Sequence, residues 1–177
     1  MLRKILIYGV IGGLIVGIPL SIMTTVKGCD PGPYGMAIGY TMMLIALSTV
    51  FIAVKKHRDD DLGGVIRFWP AFGLGLGISV VASIIYVVSW ETAVAISHMD
   101  FATIYTQALI EKQKAAGVHG EELKKLVDSM EEFKRNYANP LYRWPMTFVE
   151  IFPVGVLVSL ISAALLRSSR FLPARRA

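Results

Sequence analysis

Two glutamates that interrupt apolar stretches, Glu91 and Glu150, are the strongest candidates for chemistry in this sequence. A carboxylate at membrane depth is costly unless it pairs with a partner or faces a water-filled cavity, and it often marks an ion or proton pathway. At about 1.5 Å per helical residue, both carboxylates fall near one end of their apolar stretches, where headgroup water can reach them. Two interpretations stay open, a proton or cation site and a structural ion pair or hydrogen bond. The candidate partners for such a pair are Arg143, Lys27, Tyr86 and Tyr142.

Pro153 lies close to Glu150 in the same apolar stretch and bears on the same site. Within a helix, proline lacks the amide hydrogen and leaves the carbonyl of the residue one turn earlier, here Val149, without its usual donor. The sequence therefore predicts a helix kink beside Glu150, with room for a small polar pocket.

The remaining polar clusters do not match a catalytic or metal site. His98 and His119 stand apart from any convincing set of His, Asp and Glu ligands, so no metal is expected. The run from His57 to Asp61, HRDDD, places three acids in a row, but their side chains point in different directions, and we interpret it as a solvated charge run. No Ser/His/Asp, Cys/His or paired-carboxylate pattern occurs at catalytic spacing. The sequence therefore predicts a protein that is not an enzyme, with no catalytic residue and no cofactor.

Four apolar runs, each long enough to cross a membrane, must position these residues. Hydrophobic residues make up 54% of the 177-residue chain and charged residues only 18%, which lies outside the usual range of soluble domains. About 20 apolar residues cross a hydrocarbon core roughly 30 Å thick. The sequence predicts an all-α fold in one membrane domain, with transmembrane helices over residues 5–26, 34–54, 68–92 and 144–166. A cleaved signal peptide is the alternative for the first run, but signal apolar regions are shorter, typically about 7–15 residues.

The segment between the third and fourth runs, residues 99–139, is polar and predicts an extracytoplasmic helical hairpin. Asp100 can cap a first helix, and apolar residues recur at helical spacing in a second helix that starts near Glu121 and stops at Asn139. Each apolar stripe must be buried. Each stripe can pack on the other helix, on the bundle, on the lipid surface or on a partner protein.

The basic residues report orientation rather than nucleic-acid binding, although the net charge is +5. Ten of the 18 lie on the side of the N-terminus, which predicts that both termini are cytoplasmic. Tryptophan favours the headgroup zone, so we expect interfacial anchors at Trp69 on the inner boundary and at Trp90 and Trp144 on the outer one.

Glycines recur one helical turn apart in the predicted helices, which is typical of close helix packing in lipid. Gly73, Gly75 and Gly77 complete neither a GxGxxG nor a GxxxxGK phosphate loop. Whether the glycine faces pack within one chain or between chains stays open. The helix-packing glycines predicted in this way are Gly9, Gly13, Gly17, Gly35, Gly39, Gly73, Gly77 and Gly155.

Three segments carry a resemblance to a known family. They are GYTMMLIALSTVFIAVKKHRD over 39–59, GGVIRFWPAFGLGLGISVVASIIYVVSWE over 63–91, and NPLYRWPMTFVEIFPVGVLVSLISAALLR over 139–167. Together they resemble the bacterial integral membrane family of unknown function DUF4199. The resemblance implies a multi-pass protein of the bacterial inner membrane and implies no activity.

The expected role is that of a non-enzymatic accessory or interaction component. Its partners would be the lipid bilayer and, through the glycine faces or the 99–139 hairpin, a second copy of the chain or another membrane protein, with no role for nucleic acid. The alternative is a small oligomeric transporter or channel that uses Glu150 and Glu91.

Overall fold

The structure, a computed structural model, describes residues 1–27, 35–98 and 100–173, without the side chains of residues 24–27 and 35–36. Helices dominate this part of the chain. They are α1 (Leu2–Lys27), α2 (Gly35–Lys56), α3 (Phe68–Ser97), α4 (Phe101–Ala115), α5 (Gly120–Tyr137) and α6 (Pro140–Leu166). A π-helical turn, His57–Asp61, extends α2.

Four of these segments are long and apolar enough to cross a membrane, namely Leu2–Met23, Ala37–Asp61, Phe68–Ser97 and Pro140–Leu166. They confirm the prediction of an all-α fold with four membrane helices. Many large apolar side chains of these helices are exposed on the outside of the bundle, where a soluble protein of this size would not carry so continuous an apolar surface.

The last membrane helix, α6, begins earlier than the predicted start at residue 144. Asn139 caps it, because the Asn139 side chain accepts a hydrogen bond of 3.0 Å from the Leu141 amide. Pro140 then occupies the first helical position, where its missing amide hydrogen costs nothing. The helix therefore includes Arg143, which the prediction placed just outside it.

The four membrane helices form a ring in which α3 packs between α1 and α6, and α2 closes the other side between the same two helices. The apolar core inside the ring comes mainly from α2, α3 and α6, with Val16 as the buried contribution of α1. It is centred on Leu47, Val50, Leu74, Ile78 and Ile151. Dispersion contacts in this core and close backbone approach hold the bundle together, since lipid offers no hydrophobic drive for association.

The α1 glycines form one side of the contact with α3. A Cβ added at Gly9 would lie 2.5 Å from Val81, and one added at Gly13 would lie 2.5 Å from Ile85 and 2.9 Å from the Ala82 carbonyl. Both partners advance by one turn from the first glycine to the second, so α1 and α3 run in the same direction. Only glycine permits this approach.

The contact between α3 and α6 is reciprocal. A Cβ on Gly75 would lie 2.9 Å from Ser159, and a Cβ on Gly155 would lie 2.7 Å from Ser79. The two serine hydroxyls are 3.2 Å apart and fully buried. Each glycine thus makes room for the serine of the other helix, and the hydroxyls hydrogen-bond across the contact.

Some of the predicted packing glycines contact another helix and others do not. Gly77 lies against Ile5 of α1, whereas a Cβ on Gly39 or Gly73 would meet no atom within 4 Å. Contacts of Gly73 with a second chain stay a prediction. The surroundings of Gly35 lie outside the described residues. Sequence reasoning did not single out Gly12, although its missing side chain admits Thr49 of α2 at 2.9 Å from a Cβ position.

Candidate functional site

Glu91, near the end of α3, is neutralised by Arg143 of α6. Arg143 donates from Nε to one carboxylate oxygen at 2.6 Å and from Nη2 to the other at 2.5 Å. This is a bidentate pair, the geometry in which guanidinium and carboxylate interact most strongly. The third nitrogen of Arg143, Nη1, donates to the Tyr137 carbonyl at 3.3 Å, and the guanidinium lies 5.5 Å from the centre of the Tyr137 ring. Glu91 is thus held in an ion pair that links α3, α5 and α6.

Trp90 differs from the predicted interfacial anchor. Its side chain is only 8% exposed, its ring packs edge-on against Phe101 at 5.0 Å, and its indole N–H donates to the Tyr137 hydroxyl at 2.9 Å. The physical reason is that the hairpin covers the end of α3, so the ring contacts protein instead of headgroups. Trp69 and Trp144, by contrast, are exposed.

The hairpin of α4 and α5 packs on itself and on this end of the bundle. The rings of Phe101 and Tyr105 of α4 lie tilted against those of Tyr137 and Phe133 of α5, with ring centres 5.4 and 5.7 Å apart. Burial raises the pKa of Tyr137 to about 12, and its hydroxyl oxygen accepts the hydrogen bond from the Trp90 indole. The apolar stripe of α5 is half-buried where it packs on α4, whereas Ile104, Tyr105 and Ala108 of the α4 stripe are exposed. Packing of the two helices on each other was one of the four predicted arrangements.

Glu150 of α6 has a different environment. Its carboxylate approaches the Tyr86 hydroxyl of α3, one of the partners predicted from the sequence. Both residues line a cavity of about 480 Å³ between α1, α2, α3 and α6. No described side chain forms an ion pair with Glu150. Glu150 retains an exposed surface because it faces this cavity.

Pro153 lies inside α6, and the helix continues through it from Pro140 to Leu166. On either side of it, Ile151 and Gly155 are buried in the bundle. The kink beside Glu150 stays a prediction.

At the opposite end of the bundle, the interpretation of HRDDD as a solvated charge run is wrong. Arg58 is fully buried, donates from Nε to Asp59 at 2.6 Å and from Nη1 to the Phe171 carbonyl at 2.9 Å, and also binds the Leu172 carbonyl. Asp61 binds Lys4 of α1 at 2.7 Å and His57 at 2.6 Å. The π-helical turn and the folded-back C-terminal segment bring these groups together, which no local pattern in the sequence reveals.

Among the described residues, no three His, Cys, Asp or Glu side chains come close enough together to hold a metal ion. Cys29 and the side chain of Lys27, another partner considered for the glutamates, lie outside the described residues.

Comparison with known families gives one match. A family model described as "Protein of unknown function (DUF4199)" matches residues 4–168, which include every membrane helix and the hairpin. This confirms the resemblance seen in the three quoted segments and extends it to α1, α4 and α5. No curated protein and no solved structure matches the chain.

Proposed function

The chain belongs to the DUF4199 family of proteins of unknown function, and we propose that it is a non-enzymatic accessory or interaction component of a membrane assembly. In this proposal, the hairpin of α4 and α5 is the surface that meets the partner. The four apolar helices of the chain make it a multi-pass membrane protein.

One observation carries the proposal: the hairpin is fastened to the bundle. Arg143 of α6 donates to the Tyr137 carbonyl of α5, and Trp90 of α3 donates to the Tyr137 hydroxyl. Glu91 of α3 in turn holds Arg143 in place. A mere connection between two membrane helices needs no such bonds, whereas a surface that must meet a partner in one orientation benefits from being held in advance. The outward face of α5 carries exposed charges of both signs, which are Glu121, Glu122, Lys124, Lys125, Asp128, Glu131, Glu132 and Arg135.

We place the protein in the bacterial inner membrane with both termini in the cytoplasm and the hairpin outside. The ten basic residues on the terminal side support this orientation. Lys4, the π-helical turn and the C-terminal segment meet at one end of the bundle, as the orientation requires. An impermeant thiol reagent should label Cys29 in cells with a permeabilised outer membrane. Labelling only after lysis would reverse the orientation.

Photo-crosslinking tests the interaction role directly. A photoreactive residue at Ser129 or Glu132, both exposed on α5, should give one discrete crosslinked species in native membranes. The same residue at Met130, which is half-buried in the apolar stripe of α5, should not. Arg143→Gln should weaken the Ser129 crosslink because it releases the hairpin. If no position on α5 gives a discrete species, the hairpin is not an interaction surface. A species containing two copies of the chain would identify the partner as a second copy.

A small oligomeric transporter is the second candidate, and the cavity beside Glu150 favours it. Of its two proposed acids, Glu91 is already paired with Arg143, so Glu150 would carry the function. In that case Glu150→Gln should abolish a cation- or proton-dependent flux in reconstituted vesicles. The absence of any flux in the wild-type protein would exclude transport.

A further inference from the structure

We propose that the cavity between α1, α2, α3 and α6 binds a hydrophobic organic monocation, such as an amphiphilic amine or a quaternary onium ion, with its charge at Glu150. This inference rests neither on the interaction role nor on transport, because binding is a property of the isolated chain.

The size of the cavity suits such a ligand. Its volume of about 480 Å³ falls within the range of small-molecule sites, roughly 300–1,000 Å³. Gly39 of α2 lines it, and a Cβ on Gly39 would meet nothing within 4 Å. Gly39 therefore leaves space in the cavity, which explains why it makes no helix contact.

The walls are apolar and polarizable. The lining residues, apart from Glu150 and Gly39, are Val16, Pro19, Leu20, Met23, Ile38, Tyr40, Met42, Met43 and Tyr86. Methionine adapts to ligands of varied shape, and tyrosine rings attract organic cations. Such walls suit a ligand with a large apolar body.

The charge of the site is negative. Glu150 is the one charged residue among the described residues that line the cavity, and the nearby cation Arg143 is already held by Glu91. A carboxylate in apolar surroundings that has no ion-pair partner gains from an opposite charge, so a cationic ligand would stabilise it.

The oxygen donors argue for an organic rather than an inorganic cation. Among the described lining residues, Glu150 and Tyr86 are the two whose polar atoms lie close together. Their few oxygens fall short of the ligand shell of Ca²⁺, which takes about six to eight oxygen ligands. An onium ion needs no such ligand shell. A counter-charge and apolar contact are enough to bind it.

Equilibrium binding to the full-length protein in lipid nanodiscs tests the inference. The probe is tetraphenylphosphonium, and its matched control is tetraphenylborate, which has nearly the same shape and the opposite charge. The wild-type protein should bind tetraphenylphosphonium saturably and tetraphenylborate only as strongly as empty nanodiscs do. Sodium, potassium or calcium at millimolar concentration should not displace the probe.

Two variants locate the site. Glu150→Gln keeps the shape and removes the charge, so it should weaken binding by roughly tenfold or more. Gly39→Leu keeps the charge and fills the space, so it should weaken binding to a similar extent. Asp128→Asn, which removes one exposed acid from α5, should bind like the wild type. Size-exclusion profiles verify that each variant is folded, and if one variant does not fold, the other decides.

Several results would overturn the inference. These are the absence of saturable phosphonium binding in the wild type, equal binding of the borate, displacement by simple inorganic cations, or unchanged affinity in folded Glu150→Gln or Gly39→Leu protein. The outcome is separable from the interaction role, which is read by crosslinking at α5, and from transport, which is read by flux.

Discussion

The two ends of the helix bundle are closed in different ways. At the end that carries the termini, Lys4 of α1 binds Asp61 after α2, and Arg58 binds the carbonyls of the segment that follows α6. At the hairpin end, the ion pair Glu91–Arg143 and the bond Trp90–Tyr137 join only α3, α5 and α6. Near this second end the Ser21 hydroxyl also ties α1 to the Ser89 carbonyl of α3 at 3.2 Å. Among the described residues, the polar bonds of α2 to other elements therefore lie at the first end, and the cavity opens between α1 and α2 near the second.

This difference shows how a bundle can have three closely packed helices and still contain a cavity beside the fourth. The glycine contacts of α1 with α3 and the glycine and serine contacts of α3 with α6 fix three helices along their length. The cavity can exist near α2 because these contacts hold the other helices in place. Four perturbations, in order of decreasing expected effect, test this contrast between a closed end and an open end.

Removing Arg58 should be the most damaging. Arg58→Ala empties a fully buried site and leaves the Phe171 and Leu172 carbonyls without a donor, although Asp59 keeps Lys55 at 2.6 Å. Each buried acceptor left without its donor costs about 1–3 kcal/mol. We expect a large drop in the thermal midpoint of the detergent-solubilised protein. Asp60→Asn, an exposed acid of the same turn, serves as the control and should change little. Equal effects of the two would mean that this end is not closed by Arg58.

Filling the α1–α3 contact should come next. Gly13→Leu inserts a side chain where even a Cβ lies 2.9 Å from the Ala82 carbonyl, so the helices must separate. Overpacking of this kind costs about 1–3 kcal/mol, measured as reduced stability against denaturant or heat. Gly73→Leu is the control, because nothing lies within 4 Å of its Cβ position. If Gly73→Leu instead dissociates an oligomer at unchanged stability, that glycine packs between chains.

Breaking the hairpin-end ion pair should have a moderate and local effect. Glu91→Gln, Arg143→Gln and the double variant form a cycle whose coupling energy we expect to be about 1–2 kcal/mol, since both side chains keep some exposure. Limited proteolysis of α4 and α5 should speed up in each variant, while the termini end stays protected. A coupling energy near zero would show that the aromatic contacts alone fasten the hairpin.

The cap of α4 should give the smallest effect and the clearest pH dependence. The Thr103 hydroxyl and amide hydrogen-bond to Asp100 and lower the pKa of its carboxyl. Because the folded pKa is depressed, the cap contributes fully above the ordinary aspartate pKa of about 3.9 and is lost as pH falls through the lower folded pKa. Asp100→Ala should therefore cost about 1 kcal/mol at pH 7. The difference in thermal midpoint from the wild type should shrink near pH 3. A difference that stays constant with pH would contradict this account.

The sequence predicted the possible partners of both glutamates, but not which partner each glutamate takes. Arg143 and Tyr86 were among the four predicted partners, since few polar residues lie at the right depth. Arg143 pairs with Glu91, and Glu150 faces the cavity. This assignment depends on where α6 begins and on how α6 is rotated toward α3. A start at Pro140 places Arg143 inside the first turn of α6, where it also reaches the carbonyl of Tyr137.

Glycine spacing predicted faces, but it did not predict which helix covers each face. Gly75 was not among the predicted packing glycines, yet it makes the close contact with Ser159, while a Cβ on the predicted Gly73 would meet nothing within 4 Å. Helical periodicity shows which side of a helix carries small residues. Which helix packs on that side is decided by the packing of all four helices. The same holds for Trp90, whose cover by the hairpin has no local signature.

The sequence by itself determined the membrane class, the number of spans and the capped polar hairpin, because hydropathy, helix length and capping depend on neighbours within a few turns. Only the tertiary structure decided that Arg58 of HRDDD is buried and binds the C-terminal segment, that Glu91 is neutralised and that Glu150 faces a cavity. These outcomes depend on partners that are distant in sequence, and the energy of a charge in a membrane protein is set by which of those partners reaches it.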